Sequence, residues 1–259
     1  MPRPQLPGWV ASLLGAIVFF TAIPLPRHWP IAWEQVARWA PWIGIAIGGI
    51  VAGLDVALAG VGMPPLARSA LLVAVWLALT GGLHLDGAMD AADGLAATDP
   101  QRRLAVMADS TTGAFGVMAA IVLLGFKTLA LSELTAGRSW ALMAAAGWGR
   151  WGLVAAIAGY PYLKAAGKGA FHRPALRLPQ DLLLGLAGLL VLGGLGVWQS
   201  PGGGWAALAA IPAGAAIAAA VGAWFAWRLG GHTGDTYGAV VEWTEALLLG
   251  ALTVLYPAG

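Results

Sequence analysis

The chain has 259 residues, of which 59% are hydrophobic and only 10% charged, with a net charge of +2 at pH 7. Soluble domains carry about 25% charged residues, so the composition excludes a soluble globular protein and describes an integral membrane one. Cysteine is absent, which excludes disulfides and thiolate metal sites, and no nucleic-acid partner is expected.

A spanning helix needs about 20 largely apolar residues. About eight such runs follow one another, near Trp9 to Leu25, Pro41 to Val61, Leu66 to Leu85, Gly113 to Leu131, Trp140 to Ala158, Leu182 to Trp198, Trp205 to Leu229 and Tyr237 to Tyr256. Pro24 and Pro26 close the first run where a signal peptide would carry a small-residue cleavage site, so it reads as a retained helix. The third leads into Leu83-His84-Leu85-Asp86-Gly87-Ala88-Met89-Asp90-Ala91-Ala92-Asp93-Gly94. Lys127 interrupts the fourth and Arg150 the fifth, and a basic, glycine-flanked segment from Tyr160 to Arg173 separates the fifth from the sixth. The seventh is rich in Ala and Gly. Asp235, Glu242 and Glu245 lie around the start of the eighth. Glycine at 38 positions suits closely packed membrane helices, and 14 tryptophans suit membrane interfaces. The expectation is an all-α integral membrane protein, a polytopic bundle of about eight transmembrane helices forming a single transmembrane domain over residues 1–259.

Cytoplasmic loops carry the excess of Lys and Arg. With eight spans, nine basic residues (Arg27, Arg38, Arg102, Arg103, Lys164, Lys168, Arg173, Arg177 and Arg228) fall on one side and three (Arg3, Arg68 and Arg138) on the other. This places the loops after spans one, three, five and seven in the cytoplasm and both termini outside. The aspartate segment, the basic segment and the loop before span eight then share the cytoplasmic face, with active-site loops there.

The three aspartates after span three recur at i, i+4 and i+7. A helix turns about 100° per residue, so Asp86, Asp90 and Asp93 fall within roughly 40° of one another on one face. Adjacent anions repel unless a cation joins them, and oxygen-only ligands suit Mg²⁺ or Mn²⁺ rather than zinc. His28, His172 and His232 are too scattered for a zinc set. Carboxylates inside spans are costly and usually face a polar cavity or a partner, so the two acidic groups are expected to line one cavity. Lys127 and Arg150 are equally costly in lipid and converge on the same region. Carboxylates holding a metal beside cations holding phosphate is the arrangement of phosphoryl transfer. Asp99 beside Pro100 reads as a turn residue, and Asp55 as a structural partner within the bundle.

The segment Gly82-Leu83-His84-Leu85-Asp86-Gly87 followed by Asp90-Ala91-Ala92-Asp93-Gly94 is similar to the GxLHxDGxxDxxDG pattern of cobalamin synthases, also called adenosylcobinamide-GDP ribazoletransferases. Arg103 to Gly116, with Met107, Asp109-Ser110 and Phe115, resembles their RxxxMxDSxxGxFG. Tyr160-Pro161-Tyr162, Gly167-Lys168-Gly169 and Gly234-Asp235-Thr236-Tyr237-Gly238-Ala239 with Glu242 and Glu245 follow in family order, so the resemblance covers nearly the whole chain. Ala22 stands where many members carry Arg, and Thr111 and Thr112 where a basic residue often follows the Asp-Ser pair.

The resemblance implies the last assembly step of the coenzyme B12 nucleotide loop, in the bacterial inner membrane. Adenosylcobinamide-GDP reacts with α-ribazole or its 5′-phosphate, giving adenosylcobalamin or its phosphate and releasing GMP. Asp86, Asp90 and Asp93 are then expected to hold Mg²⁺ across the diphosphate. Asp109 and Asp235 would complete the metal shell, or one would accept the hydroxyl proton. Lys127, Arg150, Lys168 and Arg173 would steady the phosphates. His84, Glu242 and Glu245 are counted with the substrate-binding residues, against plainer readings in which His84 packs and the glutamates form an intramembrane salt bridge with Arg150 or Lys127. Two other functions stand beside this one: a CDP-alcohol-type phospholipid phosphotransferase, and a cation-coupled transporter whose buried acids carry protons or ions. Homo-oligomerisation is left open.

Overall fold

The computed structural model describes residues 6–26, 28–164, 172–199 and 204–255. Among them eleven helices follow in chain order: α1 (Gly8–Phe20), α2 (Ala40–Gly60), α3 (Pro65–Leu79), α4 (Leu83–Ala96), α5 (Arg103–Val106), α6 (Ala114–Glu133), α7 (Arg138–Gly159), α8 (His172–Ala175), α9 (Gln180–Gln199), α10 (Trp205–Leu229) and α11 (Gly234–Leu255). The described residues hold no strand, only an isolated parallel bridge between Tyr162 and His232. Helices dominate because lipid offers no partners to backbone amides and carbonyls, so each crossing segment must pair its own.

Six helices, α2, α6, α7, α9, α10 and α11, are each long and apolar enough to cross a membrane, and α3 with α4 qualifies as a pair bent by 92°. The helical membrane bundle is as expected, and among the described residues its spans number six, or seven with the bent pair, against the about eight apolar runs of the sequence. Two features cause the difference. The third apolar run is broken because Gly81 and Gly82 take left-handed φ of 60° and 71°, a conformation glycine adopts without steric cost. The first run yields only the 13 residues of α1, about 20 Å at 1.5 Å per residue, where a crossing needs about 30 Å. Helix α1 and the segment just after it are both tied to the same end of the bundle. Trp39, just before α2, donates to the Ser12 hydroxyl at 3.0 Å, and Ala22 donates to the Leu79 carbonyl at the end of α3 at 2.8 Å. The start of α2 and the end of α3 lie together because the two helices run antiparallel through a short turn.

Helix α7 is the central pillar, with 16 of its 22 residues buried. A helix buried on all sides has no polar face to present, and small residues let its neighbours close in. A Cβ at Gly48 of α2 would come within 2.5 Å of the Met143 Cα. Far from the site, Asp55 of α2 binds Arg68 of α3 and Arg138 of α7, each at 2.8 Å, which is the structural partnership expected of it.

Helices α4 and α11 cross at their N-terminal turns, and this crossing positions the site. A Cβ at Gly87 would stand 2.6 Å from the Asp235 carbonyl oxygen, and one at Gly238 would stand 2.8 Å from that of His84. Only glycine permits such an approach on both sides.

Candidate active site

The crossing of α4 and α11 brings Asp235 to the aspartate face of α4. Asp86, Asp235 and Asp93 all act electrostatically on Asp90, as does Lys164. Two of the four carboxylates are already engaged. Asp93 accepts hydrogen bonds from the backbone amides of Gly113 and Gly116, each at 2.8 Å, so it closes the N-terminus of α6, where four amides lack intrahelical partners. Asp235 Oδ2 meets Lys164 Nζ at 2.8 Å and accepts from the Thr233 hydroxyl at 3.2 Å. Asp86 and Asp90 have no hydrogen bond or ion pair among the described residues, which leaves them open to a further ligand. Among the described residues, no group of three or more His, Asp or Glu side chains is placed to hold a metal ion.

Asp86, Asp235 and Asp93 crowd Asp90 with negative charge, and Lys164 opposes them. Four carboxylates face one ammonium, so the group is short of positive charge.

Lys164 is the residue that sequence reasoning did not single out from the basic segment. Its place is fixed by backbone, because Leu163 N donates to the His232 carbonyl at 2.8 Å and His232 N donates to that of Pro161 at 2.9 Å. This pairing lays the start of the basic segment beside the turn before α11. No spacing in the sequence encodes it. The ring of His232 itself bridges the Thr236 hydroxyl at 3.0 Å and the Gly222 carbonyl at 3.1 Å. Burial pulls His232 and His172 each down to about 4, so both are neutral at physiological pH.

The remaining predicted residues divide. Lys127, Arg150, Glu242 and Glu245 come together, but as a buried ion group. Lys127 Nζ lies 2.6 Å from Glu242 and 2.5 Å from Glu245, and Arg150 lies 2.8 Å from Glu245. Two cations and two anions meet, which is the intramembrane salt bridge that the plainer reading of the glutamates expected. The cause is the low dielectric between α6, α7 and α11, where an unpaired ion would cost several kcal/mol. Asp109 is not brought into the carboxylate group. It is exposed and forms a turn of its own, accepting from the Thr111 amide at 2.9 Å and hydroxyl at 2.7 Å, and these bonds hold its carboxyl below the usual range. Asp99 is likewise a turn residue, accepting from the Gln101 amide at 2.9 Å. Arg173 donates to the Tyr160 carbonyl at 2.8 Å and is exposed. Lys168 lies outside the described residues. His84 is buried, and its Nε2 has no partner among them.

A cavity of about 140 Å³ adjoins the carboxylates, with Asp86, Asp235, Phe20, His84, Leu153 and Tyr237 among its lining residues.

Fold and site together define a multi-pass membrane protein with a charge-deficient carboxylate site at one end of its helical bundle. A family model described as cobalamin-5-phosphate synthase matches residues 12–253. An adenosylcobinamide-GDP ribazoletransferase of Trichormus variabilis is 55% identical over 244 residues, covering 94% of this chain and 97% of that one. Enzymes of the same name from a Synechocystis species and from Thermosynechococcus vestitus are 51% and 50% identical, covering 95% and 93% of this chain and 96% and 95% of their own. No solved structure matches. The chain belongs to the cobalamin-5-phosphate synthase family.

Proposed function

We propose that this protein joins adenosylcobinamide-GDP to α-ribazole or its 5′-phosphate, forming adenosylcobalamin or its phosphate and releasing GMP. The observation that carries the reading is the group of four carboxylates at the α4–α11 crossing, with Lys164 among them and two acids unpartnered. The names of the family and of the relatives supply the substrates. A ribose hydroxyl oxygen forms a bond to the phosphorus nearest the corrinoid arm, the bond from that phosphorus to the GMP oxygen breaks, and the hydroxyl proton passes to a carboxylate.

The donor set fits Mg²⁺, since it is oxygen-only and negative in excess. Asp86 and Asp90 would hold it, with Asp93 and Asp235 beside them, and bound there it would supply charge neutralisation for the diphosphate. Lys164 turns from Asp235 to a phosphate oxygen, which frees Asp235 to take the hydroxyl proton. Arg173 and Lys168 stay assigned to the phosphates on the basic segment. Alignment and charge do the catalytic work, as phosphoryl transfer requires.

Sidedness supports a cytoplasmic active site in the bacterial inner membrane. Counting α3 with α4 as one crossing and α1 as none, seven described basic residues (Arg38, Arg102, Arg103, Lys164, Arg173, Arg177 and Arg228) lie at the carboxylate end, against Arg68 and Arg138 at the other. The N-terminal segment then joins the cytoplasmic side, opposite to where eight spans would put it.

Detergent-purified protein given adenosylcobinamide-GDP, α-ribazole and Mg²⁺ is expected to release GMP. A chelator or Asp90→Ala should each lower that rate on the order of 100-fold or more, the scale of losing one electrostatic stabiliser. Unchanged turnover in Asp90→Ala removes that residue from the scheme, and absence of GMP overturns the function.

A further inference from the structure

A second, larger recess of about 530 Å³ lies between α4, α10 and α11. Ala88, Ala92 and Leu95 line it from α4. Each stands two positions beyond an aspartate of the triplet, about 200° further round the helix, so the recess backs the face opposite the carboxylates. Phe225 in its lining is buried, while Trp224 and Leu247 are 47% and 42% exposed, so it opens outward to the bilayer. Leu247 lies roughly 20 Å along α11 from its start at Gly234, and half of a hydrocarbon core is about 15 Å. The recess therefore reaches about one leaflet deep from the carboxylate end.

Two arginines stand at that end. The guanidinium carbon of Arg228, at the close of α10, lies 6.0 Å from the Trp224 ring centroid and 5.6 Å from that of Trp227. Arg103 of α5 donates from Nη1 to the Arg228 carbonyl at 3.0 Å, and its Nε is buried with no partner among the described residues. Neither guanidinium has a carboxylate partner among the described residues. Tryptophan beside a cation at the end of a span belongs to the headgroup level of a membrane.

We propose that this recess holds an acyl chain of an anionic phospholipid from the surrounding bilayer, with the lipid phosphate on Arg103 and Arg228. Any lipid chain could fill the apolar part, so charge decides the occupant. Two cations without acids call for a negative headgroup, and basic pockets between transmembrane helices take such headgroups. Guanidinium N–H groups match phosphate oxygens, and the orphaned Nε of Arg103 gains an acceptor. A chain seated there braces α4 from the side away from its aspartates. A second copy of the protein fits less well, because a two-fold pair in one membrane sets the same arginines of both chains at one depth, with no acid to answer them. The site uses none of the residues of the transferase scheme, so GMP release neither supports nor overturns it.

Detergent-purified full-length protein titrated with phosphatidylglycerol, or with phosphatidylcholine of the same chains, tests this by native mass spectrometry. One phosphatidylglycerol should be retained per chain, at least about tenfold more tightly than phosphatidylcholine. Arg103→Gln combined with Arg228→Gln should bring phosphatidylglycerol down to the level of phosphatidylcholine, and Ala92→Phe, which fills the recess, should weaken both. Equal retention of the two lipids by the unsubstituted chain, or a preference that survives the double substitution, overturns the site. A doubled protein mass without lipid gives the recess to a second copy and overturns it as well. The comparison of lipids on the unsubstituted chain decides the matter even where a variant does not fold.

Discussion

Asp90 concentrates the electrostatic strain of the site, because three carboxylates and partial burial act on it and only Lys164 relieves it. In chelator at neutral pH, Asp90→Asn should raise the unfolding temperature, because it removes one of four mutually repelling carboxylates, and thermal melts of the two chains check this. At this scale the sequence was legible for Asp86, Asp90 and Asp93, whose common face follows from helical rotation alone. It was not legible for Lys164, which reaches Asp235 across 71 residues through a backbone bridge without a sequence signature.

Helix α4 works as an element clasped between α11 and α6. Glycines let it touch α11, and Asp93 fastens it to the amide end of α6 through Gly113 and Gly116. Expected as a metal ligand, Asp93 thus also has a structural duty that its spacing did not announce. Asp93→Ala should destabilise the protein by about 1–3 kcal/mol, the scale of leaving partly buried amides unpaired. Asp93→Asn keeps only one of the two accepting oxygens and turns an N–H donor toward the other amide, so it should recover only part of that loss, as thermal unfolding of the two variants checks. The break between α3 and α4 was hidden for a related reason. Hydropathy continues through Gly81 and Gly82 to Leu85, and a hydropathy reading does not register a left-handed φ. The intramembrane ion group shows the same limit. Lys127 and Arg150 were legible as buried cations and Glu242 and Glu245 as buried acids, yet their mutual neutralisation depends on how α6, α7 and α11 pack.

At the scale of the whole molecule, the turns before α3 and before α7 lie at one end of the bundle, and the carboxylates, the α4–α5 connection and the turn before α11 at the other. The chain has no cysteine, so single introduced thiols report sidedness directly. Ala136→Cys should react with a membrane-impermeant thiol reagent in intact cells, and Asp99→Cys only after the membrane is permeabilised. The reverse pattern would turn the active site outward.

By itself the sequence determined that the chain is helical and membrane-embedded, that three aspartates share a face, and which family it resembles. Composition, helical period and motif are properties of neighbouring residues, and they survive any arrangement of the bundle. Only the tertiary structure decided which cation answers which acid, since Lys127 meets Glu245 across 118 residues. It also decided that α1 stays at one end, and that a cavity opens beside Asp86 and Asp235. Contacts between distant helices are set by side-chain volume at their crossings, where the absence of a Cβ at Gly87 and Gly238 fixes what can approach.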